Sequence, residues 1–283
     1  MGVEKGKMFF LEKHTPDTGI IFEMKKILAE EKSKYQHIRI FRNSTYGIVF
    51  TLDNMIMLTQ KDEFFYHEML VHVPLFTHPS PQHVLIIGGG DGGTSREVLK
   101  HKCVRKVDMI EIDERVIENA KKYLKFTSKK FDDKRLSIII EDGIKYVKNT
   151  KNKYDVILID STDPIGPAKG LFEKEFYENC KKILKKDGLL ATLSLSPFLD
   201  QKLVKYIYTN VKKVFSKTYL YWNVVPTYPG GIWSYTLGSK KYDPLKNLDI
   251  KRIKSYKINT RYYSPQIHKI SFVLPPFVEE LLK

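Results

Sequence analysis

After residue 82 the sequence alternates short, continuously apolar runs with stretches of helical periodicity. The apolar runs are VLIIG at 84–88, VDMIEID at 107–113, LSIII at 136–140, YDVILID at 154–160 and GLLATLSL at 188–195. They lack the apolar and polar alternation of a half-exposed strand, so each is expected to be buried on both faces. Strands of this kind form parallel sheets with helices on either side, which predicts a doubly wound α/β domain over residues 79–283.

The segment before residue 78 has a different pattern. Asp53 and Asn54 join two of its short β-rich runs as a hairpin turn, and residues 62–73 have apolar positions at helical spacing. We therefore predict a small antiparallel N-terminal domain over residues 1–78 that includes a linking helix. The β-rich runs are residues 38–43, 46–52 and 55–59.

Composition excludes several classes of protein. No apolar run approaches the roughly 18 residues of a membrane span, so we expect no membrane association. The net charge of +15 comes from lysines dispersed along the chain, which is typical of a solvated surface, so nucleic acid is not an expected partner. Two cysteines, Cys103 and Cys180, and no metal-ligand spacing favour a reducing cytoplasm and predict no metal site.

Acidic residues follow each of the first four predicted strands. The carboxyl ends of parallel strands share one edge of a sheet, so these side chains are expected to meet there. Any one of them could instead be an ordinary helix cap or turn residue. Together they would repel one another unless a cation or a hydroxyl-rich ligand lay among them. The residues are Asp91, Glu111, Asp113, Asp142, Asp160 and Asp163.

The glycine-rich loop at residues 88–93 (GGGDGG) contains GxGxxG, which dinucleotide enzymes share with methyltransferases. Asp91 would oppose a pyrophosphate in this loop and would favour a sulfonium or an ammonium group. Glu111 follows 20 residues later, at the spacing of an acid that binds ribose hydroxyls. With Asp142 and Gly143 near the adenine, the loops fit an adenosyl sulfonium better than a dinucleotide.

The run DSTDPIGP at residues 160–167 places two carboxylates three residues apart at the mouth of this pocket. Asp163 before Pro164 could cap a helix, although the second Gly-Pro equally favours a mobile loop. An amine with a pKa of about 10.4 is protonated at neutral pH and cannot attack until a base removes a proton. Asp160 and Asp163 suit this binding and proton transfer.

These motifs resemble those of the polyamine aminopropyltransferases, which include spermidine synthase, over residues 9–281. The resemblance implies a methyltransferase-like Rossmann sheet and transfer of a 3-aminopropyl group from decarboxylated S-adenosylmethionine to a diamine. Putrescine is the expected acceptor, giving spermidine and methylthioadenosine. It also implies a homodimer or homotetramer without a permanently bound cofactor. The motifs are LTQKDEFFYHEML at 58–70, VLIIGGGDGG at 84–93, EIDERVI at 111–117, EDG at 141–143, DSTDPIGPA at 160–168, PTYPGG at 226–231 and RYYSPQIH at 261–268.

The resemblance also implies roles for individual residues, with Asp160 as the proton acceptor. The implied contacts to the nucleoside are Gln36, Gly88, Gly90, Glu111, Asp142, Gly143 and Pro167. The implied contacts to the polyamine are Tyr66, His67, Asp91, Asp160, Ser161, Thr162, Asp163 and Tyr228.

Three departures from the family pattern bear on the substrates. Met57 replaces a common Gln near the nucleoside, and residues 194–196 (SLS) replace a stretch that commonly holds Gln or Glu and is expected to border the amine. Phe9 or Phe10 replaces a common Trp. The acceptor therefore stays open among putrescine, cadaverine, agmatine and a longer polyamine. An S-adenosylmethionine-dependent methyltransferase is the alternative activity.

Overall fold

The computed structural model describes residues 6–164 and 166–283, without the side chain of residue 167. The N-terminal part contains a two-stranded antiparallel hairpin and a four-stranded antiparallel meander. The hairpin is β1 (Met8–Lys13) and β2 (Gly19–Met24), and the meander is β3 (Lys26–Lys32), β4 (His37–Asn43), β5 (Gly47–Leu52) and β6 (Met55–Thr59).

The sequence predicted β4 to β6 but missed β1 to β3. Charged residues interrupt the apolar pattern of the missed strands, as in KILAEEK of β3. The turn at Asp53 and Asn54 has φ values of 48° and 62°, as a tight hairpin turn requires. Helix α1 (Glu63–Thr77) follows, and it is four residues longer at its C-terminus than the predicted helix.

A seven-stranded sheet forms the rest of the core, in the order β12-β13-β11-β10-β7-β8-β9. The five predicted runs are all strands of this sheet. The five predicted strands pair in parallel, as expected, and two further strands extend the sheet, with β13 antiparallel to both β11 and β12. The strands are β7 (His83–Gly88), β8 (Lys106–Glu111), β9 (Leu136–Ile140), β10 (Tyr154–Asp160), β11 (Leu184–Leu195), β12 (Lys217–Val224) and β13 (Ile232–Ser239).

The connections between these strands are mostly helical. Among the described helices, none combines the length and the apolar character that a membrane crossing requires. The helices are α2 (Gly93–Val98), α3 (Glu114–Tyr123), α4 (Lys125–Ser128), α5 (Gly143–Asn149), α6 (Lys174–Ile183), α7 (Gln201–Val214), α8 (Ile250–Tyr256), α9 (Pro265–Ile270) and α10 (Pro276–Leu281), with 3-10 helices at Gly166–Phe172 and Pro229–Gly231.

The centre of the sheet is the point where the strand order reverses, between β7 and β10. Here the Gly89 N–H donates a 2.8 Å hydrogen bond to the Asp160 carbonyl. Gly88 has φ of 83°, and a Cβ at this position would lie 2.1 Å from the same carbonyl oxygen. Only glycine fits so close to the neighbouring strand. The glycine-rich loop is thereby fixed against the end of β10, where open α/β sheets bind ligands.

Candidate active site

A cavity of about 360 Å³ opens at the carboxyl ends of β7, β8 and β10 and is closed on its other side by the N-terminal domain. Every residue that the resemblance assigns to the nucleoside or the polyamine lines it except Pro167, whose side chain lies outside the described residues. The cavity-lining residues among them are Gln36, Tyr66, His67, Gly88, Gly90, Asp91, Glu111, Asp142, Gly143, Asp160, Ser161, Thr162, Asp163 and Tyr228.

Asp160 lies at the centre of this cavity, at the end of β10. Its Oδ1 accepts a 2.8 Å hydrogen bond from the Tyr66 hydroxyl. Its Oδ2 is buried and accepts no hydrogen bond of normal geometry from the described residues, although the nearby Thr94 hydroxyl, also unpartnered, lowers the pKa of the carboxyl group. Burial, followed by the negative charge of Asp91, raises the pKa of Asp160 to about 6. A carboxylate in this state can take a proton near neutral pH.

His67 of α1 lies between two carboxylates. Its Nδ1 is 2.7 Å from Glu63 Oε2, and its Nε2 is 3.3 Å from Asp91 Oδ1. Burial lowers the pKa of His67, but the two carboxylates outweigh burial and raise it to about 10. For Asp91 the directions are reversed. Burial raises its pKa, but the facing imidazolium outweighs burial and brings the pKa below its ordinary value.

One atom each of His67, Asp91 and Asp160 lies within 4.8 Å of the other two, a spacing that could also hold a metal ion. Metal ligation needs a neutral imidazole with a free lone pair. Both ring nitrogens of His67 face carboxylates and therefore hold protons. The group suits an organic cation better than a metal.

The acids on the other side of the glycine-rich loop are held by backbone donors. Glu111 accepts from the N–H groups of Gly90 at 3.2 Å and Asp113 at 3.0 Å, and burial raises its pKa to about 7. Asp142 caps α5 by accepting from the Ile144 N–H at 2.8 Å. Both acids line the cavity, where their carboxylates can accept further hydrogen bonds from hydroxyl and amine groups.

Asp113 is the acid of the predicted rim that does not line the cavity. It caps α3 through the Arg115 N–H and accepts hydrogen bonds from Ser33 at 2.6 Å and from the Gln36 side chain at 2.9 Å. Asp113 therefore joins the N-terminal meander to the seven-stranded sheet. It fixes Gln36, which lines the cavity.

Sequence reasoning missed Glu12, an acid of β1 that lines the cavity and is 5% exposed. Glu12 Oε2 accepts a 2.8 Å hydrogen bond from the Ile56 N–H. Burial raises the pKa of Glu12 to about 7. The hydrogen bond from Ile56 opposes this rise, and repulsion from Asp163 adds to it. Burial and the charge of Asp200 also raise the pKa of Asp163 to about 7. The only sequence signal was an acid within the apolar run MFFLE.

The departures from the family pattern are placed differently from the expectation. The Met57 carbonyl accepts a 2.5 Å hydrogen bond from the Tyr228 hydroxyl, and both residues line the cavity.

Leu193 lines the cavity, whereas residues 194–196 do not. The expectation that this stretch borders the amine pocket is therefore wrong, because β11 bulges there and turns Ser194 toward Thr236, 2.7 Å away. Phe10 is buried in the core of the N-terminal domain.

Two family models match the chain. Residues 63–250 match the spermine/spermidine synthase domain, and residues 8–60 match the spermidine synthase tetramerisation domain. Together these matches span the catalytic sheet and both N-terminal sheets.

Curated relatives and solved structures match over nearly the whole chain. The polyamine aminopropyltransferase of Caldicellulosiruptor saccharolyticus is 49% identical, with 98% of this chain and 99% of that protein aligned. The Bacillus subtilis polyamine aminopropyltransferase is 44% identical, with coverage of 98% and 99%. A spermidine synthase crystallised with the transition-state analogue AdoDATO superposes with a TM-score of 0.95 at 46% identity, covering 97% of this chain and 94% of that one. The Thermotoga maritima spermidine synthase gives a TM-score of 0.94 at 46% identity, with the same coverage.

Proposed function

Because this chain belongs to the polyamine aminopropyltransferase family of enzymes, we propose that it transfers a 3-aminopropyl group from decarboxylated S-adenosylmethionine to putrescine. The products are spermidine and methylthioadenosine. The donor is a co-substrate, and no permanently bound cofactor takes part in the proposed reaction.

The observation that supports this proposal most strongly is the state of Asp160. Its Oδ2 is buried and accepts no hydrogen bond of normal geometry from the described residues, and its pKa is raised to about 6 by burial and by Asp91. An ammonium group of the acceptor would supply the missing donor. Once the amine has bound, the same oxygen can accept its proton.

The proposed reaction needs no covalent enzyme intermediate. Asp160 takes one proton from the bound ammonium, which frees the nitrogen lone pair. The amine then attacks the propyl carbon attached to sulfur, so a C–N bond forms while the C–S bond breaks and its electron pair remains on sulfur. The sulfonium becomes a neutral thioether. Positioning and charge complementarity supply the rate enhancement.

Each substrate has a matching part of the cavity. Glu111, with Asp142 and the glycine-rich loop at residues 88–93, provides acceptors and space for the nucleoside. Asp91 lies beside the reacting carboxylate, where it favours the positively charged aminopropyl group over a donor that retains its carboxylate. Tyr66 and Tyr228 flank the same region with their rings, whose centroids are 5.7 Å apart.

Selection of a diamine requires a second acidic group away from Asp160. Glu12 and Asp163 provide it, because both line the cavity and repel each other. An ammonium between them would relieve this repulsion. A compact diamine with one amine at Asp160 and the other near Glu12 fits this arrangement.

We further propose that the N-terminal domain mediates assembly into a homodimer or homotetramer. The region that matches the tetramerisation domain exposes large apolar side chains on one face of its hairpin, namely Phe9 at 37%, Leu11 at 54% and its cross-strand neighbour Ile21 at 60%. Contiguous exposed apolar surface of this kind is typical of subunit interfaces. Light scattering after size-exclusion chromatography would give the number of subunits.

The proposed reaction is tested by mass spectrometry of the products. The purified protein is incubated with putrescine, cadaverine, agmatine or spermidine and, separately, with decarboxylated or ordinary S-adenosylmethionine. Methylthioadenosine and spermidine from the decarboxylated donor are expected. A different preferred amine would change the assigned acceptor. Adenosylhomocysteine with a methylated amine would instead establish a methyltransferase and overturn the proposal.

A further inference from the structure

A buried ion pair lies directly behind His67. Arg96 of α2 makes two hydrogen bonds to Glu63 of α1, both 2.8 Å long, and the Glu63 Oε2 atom also lies 2.7 Å from His67 Nδ1. Glu63, His67 and Arg96 are all at least 93% buried. A single carboxylate thus contacts two cations in a region with little water.

The pair is itself anchored on the side away from the cavity. Arg96 Nε donates to Glu97 at 2.8 Å, and Glu97 lies 3.0 Å from His72 and 2.6 Å from Lys100. The Arg96 guanidinium also donates to the Phe126 carbonyl at 2.9 Å. Because the signs of charge alternate along this cluster, each buried charge is compensated by its neighbours.

The His67 ring packs closely against Gly93 and Tyr66. A Cβ at Gly93 would lie 2.2 to 2.4 Å from three atoms of the ring, so the absence of a side chain at Gly93 makes room for the imidazole. The Tyr66 ring packs against the imidazole with a centroid distance of 5.3 Å. The imidazole cannot rotate away from the two carboxylates without displacing its neighbours.

Charged or titratable groups face His67 from four elements. They are Glu63 and Tyr66 of α1, Asp91 of the glycine-rich loop, Arg96 of α2, and Asp160 of β10. Arg96 is paired with Glu63 and Glu97, and the carboxylates that favour the imidazolium form of His67 are Asp91 first and Glu63 second.

From this geometry, and resting on the proposed function of Asp160, we propose that Glu63 and Arg96 are positioning residues that keep His67 an imidazolium. This internal cation sets the pH range over which Asp160 accepts the proton of the amine. Two carboxylates as close as Asp91 and Asp160 would otherwise raise each other's proton affinity. The imidazolium holds Asp91 ionised and limits that rise at Asp160, which keeps the base available at neutral pH.

The proposal predicts the direction of a change in pH dependence. A positive charge beside a carboxylate lowers its pKa, so loss of the imidazolium charge raises the pKa of Asp160. At low pH kcat/KM falls because Asp160 is already protonated. This acid limb of the profile then moves to higher pH. We expect His67→Gln to move this limb upward by about one pH unit.

The experiment compares Glu63→Gln, His67→Gln and the double variant with the unmodified protein. Nitrogen NMR of the imidazole measures the His67 titration directly and does not depend on catalysis. In Glu63→Gln we expect the titration to move down by at least about one pH unit, since one of two facing carboxylates is lost. In Glu63→Gln the acid limb of the kcat/KM profile should move to higher pH by no more than it does in His67→Gln. The double variant should have the same acid limb as His67→Gln.

Glu68→Gln is the matched control. Glu68 is a buried carboxylate of the same helix, but it accepts from the N–H groups of Arg261, Tyr262 and Tyr263, each at 2.8 Å, and it is not among the carboxylates that pair with the His67 ring. Its loss should destabilise the fold without moving the His67 titration or the acid limb. Circular dichroism and calorimetric binding of methylthioadenosine identify any variant that fails to fold.

The proposal is overturned if His67 titrates in Glu63→Gln as it does in the unmodified protein. It is equally overturned if the acid limb of the kcat/KM profile lies at higher pH in the double variant than in His67→Gln. Absence of aminopropyl transfer in the unmodified protein would refute the proposed function alone, because the NMR titration would still report on Glu63 and His67.

Discussion

The Tyr66 hydroxyl donates a 2.8 Å hydrogen bond to Oδ1 of Asp160, across 94 residues of sequence. The bond joins helix α1 to the end of strand β10. It favours the charged form of Asp160 and so counteracts part of the rise in pKa that burial and Asp91 cause. The position and the basicity of the proposed base therefore depend on a helix outside the strands that carry the other acids.

Replacing Tyr66 by Phe should make Asp160 a stronger base that is protonated at higher pH. A hydrogen bond to a charged group contributes about 1.5 to 3 kcal/mol, which corresponds to about one to two pH units. We expect the acid limb of kcat/KM to move upward by about that amount. Tyr228→Phe is the control, because its hydroxyl donates to the Met57 carbonyl instead. An unchanged limb in Tyr66→Phe would show that the bond does not tune Asp160.

Replacing Asp160 by Asn should abolish proton transfer while leaving the cavity intact. Loss of a general base lowers kcat by about 10² to 10⁴. Methylthioadenosine binding, measured by calorimetry, should remain near that of the unmodified protein. Turnover close to normal would assign the proton to Asp163 or to water.

Replacing Glu12 by Gln should weaken the binding of diamines selectively. Loss of one buried charge pair worth about 1.4 kcal/mol raises KM for putrescine about tenfold. KM for the monoamine butylamine, which has no second ammonium group to pair with Glu12, should not change. Glu23→Gln serves as the control, because Glu23 is a partly exposed acid of the same hairpin that pairs with Lys25 and does not line the cavity. Equal effects on the diamine and the monoamine would remove Glu12 from acceptor selection.

The same site predicts a pH dependence of amine binding. The folded-state pKa of Glu12 is raised to about 7, so its negative charge is present above that pH and is lost as the pH falls through it. KM for putrescine should therefore rise as the pH is lowered from about 8 to 6, and this rise should be smaller in Glu12→Gln. A KM that is constant over this range would contradict the prediction.

Replacing Asp91 by Asn should relax the discrimination between the two adenosyl donors. Its charge repels the carboxylate of ordinary S-adenosylmethionine, and a loss of about 1.4 kcal/mol lowers the preference for the decarboxylated donor about tenfold. Competition between the donors, followed by mass spectrometry, measures this ratio. Asp132→Asn, at an exposed position, should leave it unchanged. An unaltered ratio in Asp91→Asn would refute this role.

Local pattern was enough to predict much of the catalytic sheet. Continuous apolar runs such as residues 154–160 can be buried only between two layers of helices, so they imply a parallel sheet. Parallel strands place their carboxyl ends along one edge, and this topology alone brings Asp91, Glu111 and Asp160 into one cleft. Strands β12 (KTYLYWNV) and β13 (IWSYTLGS) were missed because polar residues interrupt their apolar runs.

The sequence by itself determined the five parallel strands, the acidic edge and the motifs that identify the family. Only the tertiary structure decided that Glu12 lines the cavity, that His67 lies between Glu63 and Asp91, and that Asp113 joins the N-terminal meander to the seven-stranded sheet. The physical reason is the range of the interactions. A strand followed by an acid is a local feature with a fixed geometric outcome, whereas the packing of a hairpin or a helix onto the sheet is the sum of many contacts between residues far apart in the chain.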